Sequence, residues 1–100
     1  RLLRVTHLAR TRPDAEASSE FSRAEIAVMK VMDPRSKRQK ARPERVGSLA
    51  WAVAVIADMG GYTGKSSGGP PGPLVLARGL ERMVERAEGF AAAMTNRDQW

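Results

Sequence analysis

Apolar positions along the chain fall into four groups separated by polar or Gly/Pro-rich stretches. "RLLRVTHLAR" places Leu2, Leu3, Val5 and Leu8 at helical spacing, with no capping residue before them. It reads as the middle of a helix, so the chain is expected to be a piece of a longer protein. That helix should stop near Arg12, because Pro13 disfavours the helical conformation of the residue before it. A polar connection follows to Glu20. Ser22 with Glu25 three residues on then forms a capping box, and Phe21 and Ile26 occupy the positions of a hydrophobic staple. The helix they open should run to about Asp33, with Ile26, Met29 and Met32 on its apolar face, and Pro34 ends it.

The third group, "GSLAWAVAVIADMGG", supports two readings. Leu49, Trp51, Val53 and Val55 alternate with alanines, the period of a strand. Alanine, however, is the best helix former and a poor strand former. Ser48 can cap a helix, and Gly60 and Gly61 supply a stop that tolerates the left-handed conformation. A helix that is apolar nearly all round belongs in the centre of a fold. We therefore read residues 48–60 as a central buried helix. "GGYTGKSSGGPPGP" has six Gly and three Pro in fourteen residues and reads as a loop. The last helix should run from about Leu74 to Met94, with Pro73 in its first turn. Leu76, Leu80, Met83, Ala87, Phe90 and Met94 are spaced 4, 3, 4, 3 and 4, a coiled-coil-like seam. Gly79, Gly89 and the alanines at 87 and 91–93 leave room for another helix to approach closely. The seam can pack on helices of its own chain, on a second copy, or in part on each.

The expected fold class is therefore all-α. Three to four short helices pack as a small irregular helical domain, with a basic loop and a Gly/Pro-rich loop. One hundred residues, 42% of them hydrophobic, suit one domain with one core. The absence of cysteine closes disulfide, zinc-thiolate and thiol-catalysis readings and fits a reducing, cytoplasmic setting. No apolar run reaches the ~18 residues of a membrane span, so no membrane partner is expected.

Net charge is +6 and uneven. Arg35, Lys37, Arg38, Lys40, Arg42 and Arg45 stand against Glu44 alone, so the segment from Pro34 to Arg45 carries +5. It has no apolar residue larger than Ala41 and reads as a solvated loop or a frayed extension. Such a loop can neutralise phosphates without reading sequence, or it can serve as a solvated linker; the residues weigh equally for both. It lacks the aromatics that stack single-stranded bases.

Other chemistry is weakly supported. Gly64-Lys65-Ser66 suggests a phosphate loop, but the glycine required five positions earlier is Met59. Prolines at 70, 71 and 73 stand where the phosphate-binding helix should begin. His7 has no acid or nucleophile at a catalytic spacing. No carboxylate pair sits in an apolar context, and no acidic cluster suggests a metal cage.

The run Val46–Tyr62, "VGSLAWAVAVIADMGGY", with the basic stretch before it, resembles the C-terminal region of bacterial cut-and-paste transposases of the Tn-five type, the IS-four group of DDE transposases. The elements that match are Arg1-Leu2-Leu3, the linker 13–21, the short helix 22–33, the basic loop 35–45, Gly47-Ser48-Leu49-Ala50-Trp51-Ala52 and Gly60-Gly61-Tyr62. Leu80–Ala93 looks like that family's terminal helix. Residues 63–73 depart from the family in their Gly/Pro richness. The resemblance implies that residues 1–12 end a helix continuing from an upstream catalytic core, and that 13–100 form a C-terminal helical dimerisation domain. Catalysis would belong to that core, a ribonuclease-H-like domain whose carboxylates hold divalent metal, magnesium in the parent protein. None of its motifs is present, so this chain is expected to carry no catalytic residue, metal or cofactor. The implied partners are a second copy and, through the parent, transposon-end DNA. Leu76, Leu80, Met83, Val84, Ala87, Phe90 and Met94 are the expected dimer face. Arg35, Lys37, Arg38, Lys40, Arg42 and Arg45 are expected near the DNA backbone. The alternative is a stand-alone small basic nucleic-acid-binding helical module.

Overall fold

A computed structural model describes residues 1–33, 44–62 and 72–98, the last five by their backbone alone. The basic stretch 34–43 and most of the Gly/Pro-rich loop, 63–71, lie outside the described residues. The described residues form four α-helices, α1 (Leu2–Thr11), α2 (Arg23–Met32), α3 (Leu49–Met59) and α4 (Pro73–Asp98), with a 3-10 turn at Ala17–Ser19. Among the described residues there is no strand, and the all-α expectation holds.

The capping chemistry expected from the sequence is present. Glu25 N–H donates to Ser22 Oγ at 3.1 Å, and Ser22 N–H donates to Glu25 Oε1 at 2.8 Å. Ser48 Oγ accepts from Trp51 N–H at 3.1 Å. Gly60 caps α3, and the next residue, Gly61, has a φ of 95°, the left-handed conformation. There Tyr62 N–H reaches back to the carbonyl of Ala57, and Gly61 N–H to that of Asp58. These bonds satisfy carbonyls that a helix end otherwise leaves open.

Helix α3 is the centre of the fold: Leu49, Trp51, Ala52, Val55, Ile56, Ala57 and Met59 are all buried. Helices α1, α2 and α4 pack around it, contributing Val5, Val28, Met29, Leu76, Met83 and Ala87 to one core. Leu2, Leu8 and Ala9 of α1 pack, partly buried, against the same core. On α2 the inward face is rotated from the one expected. Val28 joins Met29 inside, whereas Ile26 and Met32 are only half-buried.

The polar segment after α1 does more than connect. Ala17 is fully buried, and its N–H donates to the Gly47 carbonyl at 2.7 Å. The carbonyls of Ala15 and Pro13 accept from the N–H groups of Leu49 and Ala50. Together with Ser48 they satisfy the first free donors of α3. At the other end of α3, Arg82 donates to the Met59 carbonyl at 2.6 Å.

The crossing of α3 and α4 is a backbone contact. A β-carbon on Gly79 would overlap the Ile56 carbonyl, and one on Gly60 would overlap the Val75 carbonyl. Gly79 does permit the close approach of a helix, and that helix is the chain's own α3. Helix α4 also runs on to Asp98, four residues beyond its expected end.

Candidate functional site

The seam of α4 divides into an inner and an outer part. Leu76, Met83 and Ala87 are interior, and Leu80 and Val84 are half-buried against the same core. The inner part of the expected dimer face is thus occupied by the chain's own helices, because α2 and α3 cover it. Phe90 remains 43% exposed. Every residue from Glu88 to Ala93 is exposed, although the backbone stays helical to Asp98. The side chain of Met94 lies outside the described residues. Between Gly89 and Ala93 this overhanging helix carries no charge, and Phe90 is its one large side chain.

Phe90 also lines a shallow groove of about 160 Å³ between α4 and α2, together with Val28, Val31, Met32 and Arg86. Val31 is 71% exposed, so the groove and the overhang form one apolar surface. The heptad spacing revealed Phe90; nothing marked Val31, because it lies off the face that the α2 spacing selects.

Of the six cations expected near DNA, Arg35, Lys37, Arg38, Lys40 and Arg42 lie outside the described residues. Arg45 has a structural task that sequence reading missed. Its guanidinium reaches Glu16 Oε1 at 2.9 Å and the Asp14 carbonyl at 3.0 Å, fastening the turn before α3 to the segment after α1. Two further arginines pair with carboxylates of the fold. Arg4 pairs with Glu20 at 3.1 Å, and the hydrogen bond and charge of Glu20 raise its pKa. Arg1 pairs with Glu25 at 2.5 Å and lies 5.1 Å from the centre of the Phe21 ring, within cation–π range. Burial pushes the Glu25 carboxyl up. The hydrogen bonds from Arg1 and Ser22 and the charge of Arg1 outweigh it, so its pKa lies below the ordinary value.

In the most distinctive stretch, Gly47–Ala52, Ser48, Leu49, Trp51 and Ala52 are buried. Trp51 is fully buried, and its indole N–H donates to Asp33 Oδ2 at 2.9 Å, tying the end of α2 to the first turn of α3. Asp33 itself is buried at the C-terminus of α2. No sequence signal linked these two residues, which stand eighteen positions apart.

His7 is exposed. Gly64, Lys65 and Ser66 lie outside the described residues. Among the described residues no cluster of His, Asp or Glu could hold a metal ion, and no helix is long and apolar enough to cross a membrane. Comparison with known proteins returned no matching family model, no matching curated protein and no matching solved structure.

Proposed function

We propose that this chain is the C-terminal self-association segment of a cut-and-paste DNA transposase, bringing two copies together for synapsis without catalytic residues of its own. The observation that carries the reading is the outer part of α4. A helix uncharged from Gly89 to Ala93 continues past Ala87, the last residue buried among the described ones, beside the exposed side chains of Val31 and Phe90. An uncharged helical turn beside exposed Val31 and Phe90 is an apolar patch of the kind that marks a protein–protein contact. The resemblance of Val46–Tyr62 to the transposase C-terminal region supplies the parent activity, and the basic stretch 35–45 supplies proximity to DNA. In that division of labour the metal-dependent chemistry belongs to the parent's catalytic core.

The interface follows from the same surface. The inner seam is already packed, so association runs through Phe90, Val31 and the helix beyond, with Leu80 and Val84 at its edge. In a two-fold symmetric dimer each residue acts twice. Phe90 is 43% exposed, so burying the rest of it is worth about 0.6–1.3 kcal/mol per copy, and Phe90→Asp should weaken self-association by about 10-fold or more. The measurement is sedimentation equilibrium across a concentration series. Wild-type chain that stays monomeric at the highest concentration, or Phe90→Asp that associates as well as wild type, refutes the reading.

A further inference from the structure

A wider groove of about 520 Å³ lies where α1 meets α3 and the first turn of α4. Leu2, Ala9, Val53 and Leu76 contribute apolar lining, Leu3 stands in it with 85% of its surface exposed, and Arg10 lines the far end of α1. These residues are distinct from those of the Val31–Phe90 surface. From Leu2 to Arg10 the groove follows α1 for about 12 Å at ~1.5 Å per residue. That length matches the i, i+4, i+7 stripe of a helix lying along it.

Charge identifies the kind of helix. The fold pairs Arg1, Arg4 and Arg45 with Glu25, Glu20 and Glu16. Arg10 has no such partner among the described residues, yet it borders an apolar groove. A cation beside apolar surface is met best by a carboxylate carried on an amphipathic ligand, because the acid orients what the apolar stripe binds. We propose that this groove takes an amphipathic helix of a partner protein, with an acidic residue one turn beyond its apolar stripe, paired to Arg10.

The test uses the full chain and two fluorescent synthetic helical peptides. Each carries leucines at i, i+4 and i+7; one has glutamate and the other lysine one turn beyond. Fluorescence anisotropy gives the affinities, and amide chemical shifts give the site. Wild type should prefer the glutamate peptide by about five-fold, the upper end for an exposed ion pair. Arg10→Glu should reverse that preference. Leu3→Glu should abolish binding of both peptides with an unchanged melting curve, because Leu3 is exposed. Shifts should centre on Thr6, Ala9, Ala50 and Val53. Absence of binding, a preference that Arg10→Glu leaves intact, or shifts centred on Val31 and Phe90 overturns the proposal. Self-association that Leu3→Glu abolishes and Phe90→Asp spares assigns the groove to a second copy and overturns it equally.

Discussion

Two glycines of α4 should respond oppositely to the same substitution. Replacing Gly89 by alanine meets nothing within 4 Å. Alanine is favoured over glycine in a helix interior by about 1 kcal/mol, so Gly89→Ala should raise stability by that amount or a little less. At Gly79 the same gain is opposed by overlap with the Ile56 carbonyl. The obstacle is backbone rather than a flexible side-chain tip, so relief requires α3 and α4 to separate. A gap of even ~0.5–1 Å forfeits a quarter to a half of each contact's dispersion energy. The contacts at risk are those of Ile56, Met59, Leu76 and Met83, all in the core. Overpacking typically costs ~1–3 kcal/mol, and a backbone obstacle belongs at the upper end. After the propensity gain, Gly79→Ala should lose about 2 kcal/mol. For a domain of this size that lowers Tm by about 10 °C, while Gly89→Ala raises it by about 4 °C. Gly60→Ala should resemble Gly79→Ala. The double variant should lose less than the two losses combined, because one separation of the helices relieves both overlaps. Thermal melts followed by circular dichroism at matched concentration read all four. A Gly79→Ala protein that melts at or above wild type would show that the helices do not cross in backbone contact.

The buried tie between Trp51 and Asp33 should be costly to break. Trp51→Phe keeps an aromatic ring but removes a buried hydrogen bond to a carboxylate, a loss of about 1.5–3 kcal/mol in urea denaturation; a loss under ~0.5 kcal/mol argues against the bond. Acid should weaken the fold in part through Glu25, whose folded pKa lies below its ordinary 4.5. The unfolded chain therefore binds this proton more tightly than the folded one. The stabilisation is fully present above the unfolded value and is lost as pH falls through the lowered folded pKa. The Tm difference between wild type and Glu25→Gln should stay constant from neutral pH down to about 5 and shrink below it. A difference that does not change with acid removes Glu25 from the account.

What the sequence determined by itself was local. The cap of α2 at Ser22 and Glu25, the cap of α3 at Ser48 and the stop at Gly60–Gly61 each rest on bonds between residues at most five apart, so the identities of neighbours suffice to place them. The helical reading of 48–60 won over the strand reading for the same reason: alanine content, cap and stop all act within one element. Composition then required α3 to be central, since a helix with so few polar positions has no face to give to water.

Tertiary structure decided the rest. Pro13–Ala17 is polar by sequence, but its carbonyls close the start of α3, and that task exists only once the two segments are adjacent. The seam of α4 is uniform in sequence, yet α2 and α3 cover Met83 and Ala87 and leave Phe90 at the surface, because those helices end before α4 does. Gly79 is an unfavourable residue in an isolated helix and a necessary one where the Ile56 carbonyl crosses it. Asp33 is an ordinary helix end until Trp51 is brought against it. In each case the deciding partner lies more than fifteen residues away, where spacing along the chain carries no information about distance in space.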